Sequence, residues 1–566
     1  MSEDTEKTNT TNVEENGEEK LNTQVDANSN SSYFGKIYSL LFGDGNNENM
    51  SDDLMQVILF LNIFLLFAIT IPYMLIKFYI VNSKILGDNE FIDEIFHIKQ
   101  SKHYLNMNSI FKVFNLNKFK ENYDPKLTTP PGLYYLQFFW NKLLVTPLSY
   151  LNITKFKFNE VTILRMTNLI CGAIIMPLYT YSNLCAMSVI CFTIPSLVMF
   201  PLLSTYYNLY YTEVWSTFWL LNGLMFAVMP HDENLPEEKE TLSEILKLKK
   251  RYIWLSSICC LISLFFRQTN IIWTALIMVI TIERHAIIEF DLNDLWYNNY
   301  LKMILTGLKH FDTLVLPYCT NFALFLLFLI KNKSIALGDK SNHVFSLHIM
   351  QIFYCFSFIT FFSLPLWFNQ EFIIKYLIKT FGDIIRVIVT LFYYFFIAMC
   401  IRFTTIEHPF LLSDNRHLSF YIFKKILYRN FFTKYFTALP FYHFAWYTVN
   451  DLLFESLLHF PDTLNPLKIH KSFELPLMLT HMSKLVYYIC IILTLVPTPL
   501  FEPRYYIIPY LVWRVFVMPK YGGNIAATLL KEFVWLWLID LFVFGIFYKV
   551  QIFTWTDLSF PQRIIW

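Results

Sequence analysis

The feature that most constrains this chain is a series of apolar runs of membrane-crossing length, separated by short polar breaks. Crossing ~30 Å of hydrocarbon takes roughly 20 apolar residues as a helix. Runs of that order occupy 55–80, 161–179, 184–203, 311–330, 346–366, 383–402, 476–497 and 527–548. Shorter or more interrupted runs lie at 132–150, 205–229, 252–266, 270–284, 434–450 and 504–519. In lipid the backbone has no water to bond with, so these runs are helices rather than strands. The pattern predicts an all-α polytopic membrane protein with about 12–14 transmembrane helices. Pro147, Pro177, Pro195 and Pro201 are expected to break helices in 132–203 or to make them re-entrant.

Composition supports this reading. Only 16% of the residues are charged, against about 25% in ordinary soluble chains. The 58 Phe and 35 Tyr suit the aromatic belts of membrane interfaces. A net charge of +1 without a large basic block argues against nucleic acid as a partner. The nine cysteines fall in or beside apolar runs and form no CxxC pair, which points to buried thiols rather than a disulfide framework or zinc site.

Two regions are expected. Residues 1–54 carry twelve Asp/Glu against three Lys, the composition of a disordered acidic tail. Residues 55–566 form the multi-span domain, whose first run is expected to act as an uncleaved signal anchor with the tail in the cytosol. The 230–251 segment ends in Lys247, Lys249, Lys250 and Arg251, which the positive-inside rule also places in the cytosol. The rule is not obeyed cleanly, because the 81–131 loop holds seven Lys. Of the N-x-S/T sequons at Asn9, Asn30, Asn49, Asn152 and Asn332, only Asn332 is expected in a good lumenal position.

The long 81–131 loop is the first place for chemistry. In FIDEIFHIKQSKHYL (91–105), Ile92, Ile95, Phe96, Ile98 and Leu105 are expected to form the apolar face of a short helix lying on the membrane surface. Asp93 and His97 are four apart and share one side of it, while Glu94 is turned by about 100°. Two adjacent carboxylates can supply a general base. Such pairs are also common on solvated helix faces, and Asp93, Glu94 and His97 fall short of a convincing metal site. In TTPPGLYYL (128–136), the two prolines fix an extended backbone and Gly132 opens the turn into the next helix. Polar clusters also interrupt the apolar runs at YYTE (210–213), FRQTN (266–270), SDNRH (413–417) and FEPRYY (501–506). Ionisable residues beside a span mark functional sites by default, and Arg267, Arg416 and Arg504 offer bidentate donors for phosphate. Each alone also suits a snorkelling interface residue. Together they suggest one shared polar cavity. A transporter would use similar clusters but would gather them at a midplane site.

DEIFH (93–97), YDPKLTTPPGLY (123–134), RQTN (267–270), ALGDKSNH (336–343), DNRH (414–417) and EPRYYIIPY (502–510) occur in this order. In these motifs the chain resembles the dolichyl-phosphate-glucose-dependent α-1,2-glucosyltransferases of asparagine-linked glycosylation. It departs from that family's pattern at Lys99, at Tyr123 and in a longer 106–121 stretch. The resemblance implies a C-type glycosyltransferase fold with the catalytic carboxylate in the first lumenal loop. It implies dolichyl-phosphate glucose as donor, a diglucosylated dolichyl-diphosphate oligosaccharide as acceptor, and inversion in one displacement. The expected base is Asp93, with Glu94 second or holding the acceptor sugar. Arg267, Arg416, His417 and Arg504 are the candidates for the leaving phosphate, with His97 and Lys126 assisting near the carboxylates. Gln268 and Tyr505, within the same motifs, are expected to bind substrate. No cofactor or metal is expected, and protein partners are left open. The alternatives are another dolichyl-phosphate-sugar transferase of the same pathway, or a transporter.

Overall fold

The computed structural model describes residues 50–107, 123–146, 160–187, 192–229, 242–290, 300–340, 345–407, 414–455, 479–521, 523–550 and 561–566. Most of the acidic tail, most of the 106–121 stretch, Asn9, Asn30, Asn49, Asn152, Pro147 and the start of the 230–251 segment lie outside the described residues.

The described chain is a bundle of helices without a named strand; its one isolated bridge joins His417 to Ile565. The longer helices are α1 (Gln56–Ile85), α2 (Glu94–Asn106), α3 (Gly132–Trp140), α4 (Glu160–Ala186) and α5 (Glu213–Val228). They continue with α6 (Leu242–Leu264), α7 (Asn270–Phe290), α8 (Leu316–Asn332), α9 (Met350–Phe362) and α10 (Gln370–Phe381). The last five are α11 (Ile384–Thr404), α12 (Ala438–Glu455), α13 (His481–Leu495), α14 (Ile507–Phe516) and α15 (Ile525–Lys549). Three begin where the sequence supplies a side-chain acceptor for an orphan N–H: Asn369 for Glu371, Asp383 for Arg386 and Asn524 for Ala527.

Five helical stretches among the described residues are long and apolar enough to cross a membrane: Gln56–Ile85, Glu160–Ala186, Asn270–Ile287, Phe311–Asn332 and Ile384–Thr404. The chain is therefore an all-α polytopic membrane protein. The 12–14 spans expected from sequence also counted runs that fold as shorter helices, such as α9 and α13. In the expected 184–203 span the described residues form the short helices Ser182–Ala186, Ile194–Val198 and Pro201–Ser204, with Pro195 and Pro201 in the first turns of the last two. Pro177 sits instead within a π-helical stretch of α4.

Several charges buried in the bundle are paired, which offsets the cost of an isolated ion in a low-dielectric interior. Asp540 on α15 accepts from Lys77 at 2.8 and 2.9 Å and from Tyr73 at 2.7 Å, both on α1. Glu532, one turn pair earlier, takes both ends of the Arg514 guanidinium at 2.6 and 2.7 Å. These pairs fix α15 against α1 and α14.

Candidate active site

The site begins with a knot of buried hydrogen bonds. Glu94, at the start of α2, is fully buried and binds the equally buried Arg165 of α4 at 3.0 and 2.7 Å. Its two oxygens also accept the N–H groups of Phe91 at 3.0 Å and Tyr210 at 2.6 Å. Arg165 reaches on to the carbonyls of Gly87 and Asn89, and Asn168 donates to those of Leu209 and Tyr211. One turn of α4 thus ties down both the 86–94 loop and the 209–211 segment. The next residue along is the one presented outward: Asp93 donates its N–H to the Tyr211 hydroxyl at 3.1 Å, and its carboxylate is 44% exposed. Ile92, just before it, is held at φ 52°. A β-branched residue there costs about 1–2 kcal/mol, so the surrounding knot must over-determine this backbone.

Asp93 opens onto a cavity of about 570 Å³. His97 lies one helical turn on, lines the same cavity, and shares a 2.7 Å hydrogen bond with the Tyr134 hydroxyl. Burial pushes its imidazole below the ordinary value, offset only in part by Asp93 and Glu213. Lys126, exposed on the adjoining loop, stands 5.5 Å over the Phe96 ring and also lines the cavity. The buried face of α2 (Glu94, His97, Ile98, Gln100, Ser101 and Tyr104) is mostly polar, while Ile92, Ile95, Phe96 and Leu105 of the expected apolar face are partly exposed.

The opposite wall is a network of charges from helix ends. Arg504 lies 3.3 Å from Asp93 and 3.8 Å from Glu213, and its Nε donates to Glu502. Burial works to raise the Glu502 carboxyl, but the Arg504 guanidinium outweighs it and holds the group below the usual carboxylate range. Arg267, between α6 and α7, donates Nη2 to Glu213, while its Nε makes no hydrogen bond among the described residues. The Tyr505 ring lies beside both guanidiniums, at 5.7 Å from Arg267 and 5.9 Å from Arg504.

The TTPPG loop closes the cavity. Gln268 donates to the Thr128 carbonyl at 2.7 Å, and the Gly132 N–H donates to Phe265 at 2.8 Å. A β-carbon on Gly132 would lie 2.5 Å from that carbonyl oxygen, so the close approach requires glycine. From the other side, Leu337 and Asp339 donate to Thr128 and Pro125 at 3.1 and 2.9 Å. Asn332 ends α8 at this end of the bundle, and its amide donates to Ser334 and Ala336 of the same cavity-lining loop. Towards the helices the lining turns apolar, with Ile271, Ile272, Trp273, Phe325 and Leu493.

The fold therefore brings Asp93, His97, Lys126, Arg267, Gln268, Arg504 and Tyr505 together around one cavity. It does not bring all the sequence candidates there. Glu94 faces Arg165 instead. Arg416 binds Asp414 at 2.8 and 2.7 Å, and His417 meets the Trp566 carbonyl at 2.9 Å; neither lines the cavity. Three carboxylates that do line it, Glu213, Asp339 and Glu502, were not singled out from sequence, although YYTE, ALGDKSNH and FEPRYY contain them. The signal for Glu213 and Glu502 was an acid within a polar cluster at the start of a helix.

The fold and the site define a polytopic α-helical membrane protein with a carboxylate–arginine cavity at one end of its bundle and an apolar wall beside it. A family model described as the DIE2/ALG10 family matches residues 87–515, and the chain belongs to that family. It is 41% identical over 488 residues to the Dol-P-Glc:Glc(2)Man(9)GlcNAc(2)-PP-Dol alpha-1,2-glucosyltransferase of Kluyveromyces lactis, covering 84% of each chain. The protein of the same name from Candida glabrata is 41% identical over 84% of this chain and 88% of its own. The human one is 26% identical over 84% of this chain and 93% of its own. No solved structure matches the chain.

Proposed function

We propose that this chain is an inverting glucosyltransferase of the endoplasmic reticulum membrane, with its acidic tail in the cytosol and its cavity in the lumen. It moves glucose from dolichyl-phosphate glucose onto Glc2Man9GlcNAc2-PP-dolichol in α-1,2 linkage, completing the N-glycan precursor. The observation that carries this is the 41% identity, over most of both chains, to relatives named for that reaction. The cavity supports it, because a charged floor beside an apolar wall suits a sugar phosphate on a polyisoprenyl chain.

Asp93 acts as the base. Its exposed carboxylate takes the proton of the acceptor hydroxyl as that oxygen attacks the anomeric carbon and the bond from that carbon to the phosphate oxygen breaks. Dolichyl phosphate leaves with one more negative charge than it had as a diester. Arg267 and Arg504 meet that charge in a pocket partly screened from water, where fixed donors count most. Tyr505 spaces the two guanidiniums, Gln268 holds the Thr128 loop, and Lys126 reaches the rim for sugar hydroxyls. Glu94 positions Asp93 through Arg165 rather than touching substrate. Arg416 and His417 brace the 414–418 segment against residues 562–566. With two guanidiniums facing a single phosphate, no metal is required.

The test is transfer of labelled glucose by purified protein in the presence of chelator. Transfer from dolichyl-phosphate glucose to the diglucosylated acceptor supports the reading, and mannose transfer or chelator-sensitive transfer contradicts it.

A further inference from the structure

Asp93, Glu213, Arg267, Glu502 and Arg504 meet in the cavity, and their connectivity is uneven. Arg267 and Arg504 come from different helix junctions, far apart in sequence. The one carboxylate that joins them is Glu213, at the first turn of α5: its Oε1 takes Nη2 of Arg267 and lies 3.8 Å from Nη1 of Arg504. It is 3% exposed, whereas Arg267 and Arg504 are 17% and 21% exposed, so the carboxylate sits behind the guanidiniums rather than in front of them. Asp93, on the open side of Arg504, is the more exposed partner at 3.3 Å. Arg504 is therefore held by the buried Glu213 and by two more exposed carboxylates, Glu502 and Asp93. Arg267 keeps its Nε uncommitted among the described residues.

We infer that Glu213 is the positioning residue of the arginine pair: it keys Arg267 and Arg504 into one phosphate-binding unit. The inference rests on the proposed function and deepens it by adding a residue that touches no substrate. An arriving phosphodiester draws Arg504 away from Asp93, and Glu502 and Glu213 keep the guanidinium in place once that contact is given up, Glu213 alone tying it to Arg267 among the described residues. The same exchange releases the Asp93 carboxylate to accept a proton. Recognition of the phosphate and readiness of the base are thereby linked through one arginine, and Glu213 is the fixed point of the link.

The experiment measures glucose transfer and inhibition by a short-chain isoprenyl phosphate, a mimic of the leaving group, in wild type, Glu213→Gln, Glu213→Asp, Arg267→Gln and the Glu213→Gln/Arg267→Gln double variant. Thermal unfolding of each purified protein reports whether it is folded. Glu213→Gln is expected to raise the donor KM and the inhibition constant for isoprenyl phosphate by about 10²-fold, the scale of a ~1 Å misplacement. The acceptor KM stays within about twofold, because uniform acceptor binding is untouched. Glu213→Asp recovers part of the loss, and the double variant loses less than the sum of the two single losses, since both changes act on the same arginine pair. A folded Glu213→Gln with an unchanged inhibition constant, or additive effects in the double variant, overturns the inference. If Glu213→Gln does not fold, the donor-against-acceptor split in Glu213→Asp decides in the same way. Wild-type protein that transfers no glucose counts against the proposed function instead.

Discussion

Asp93 and Glu94 are chemically near-identical neighbours in opposite surroundings. Glu94 has four hydrogen-bond donors and no exposed surface, and Asp93 faces the cavity. Removing one partner of a buried ion pair leaves the other uncompensated, at a cost of about 3–5 kcal/mol. Glu94→Gln should therefore lower the thermal unfolding temperature of the detergent-solubilised protein sharply. Asp93→Asn should leave it nearly unchanged, and the reverse order would contradict the two roles. The His97 imidazole, lowered by burial, gives a pH dependence of known sign. Its folded value lies below its unfolded value near 6.5, so the unfolded chain binds the extra proton first. Its contribution is fully present above that unfolded value and is lost as pH falls towards the folded one. Unfolding temperature should fall from pH 7.5 to pH 5.5, and less steeply in His97→Gln. At this scale the sequence was informative where a motif sat at a helix end. The four-residue spacing of Asp93 and His97 placed both on the cavity. It did not reveal that Arg165, inside an apolar run 71 residues further on, would claim Glu94. Nor could it show that Arg416 would close on Asp414 two residues away, since a local ion pair and a phosphate site look alike in a single sequence.

The elements around the site are short, and loops fastened to one another do most of the positioning. The TTPPG segment is held by Gln268 and Phe265 on one side and by Leu337 and Asp339 on the other. Its stiffness was legible from two prolines and a glycine, but its partners were not, because they lie more than 130 residues away in sequence. Gly132→Ala would push a β-carbon to 2.5 Å from the Phe265 carbonyl oxygen, and the loop or the α6–α7 turn would have to move. Transfer activity is expected to drop by about 10²-fold in protein that still unfolds cooperatively. Wild-type activity would mean that this junction does not set the cavity's geometry. Helix type and rough position followed from apolar length almost everywhere. Proline divided a run at Pro195 and Pro201, as expected there, while the mostly polar buried face of α2 did not follow from its apolar residues.

At the scale of the bundle, the charges of the cavity come from helix ends and loops, while several charges among the packed helices are closed into pairs such as Lys77–Asp540 and Arg514–Glu532. A cavity at helix ends suits a transferase that takes lipid-borne substrates, and it differs from the midplane site of a transporter. The overall class was legible because about twenty apolar residues in a row leave a chain few choices. The cavity depended on contacts between segments hundreds of residues apart, which no local pattern encodes. The assignment of Asp93 as base in glucose transfer is tested most directly by single-turnover transfer from dolichyl-phosphate glucose to the diglucosylated acceptor, comparing wild type with a folded Asp93→Asn variant. Loss of a general base is expected to cost about 10²–10⁴-fold in rate with donor binding retained. Transfer by Asp93→Asn at the wild-type rate would contradict it.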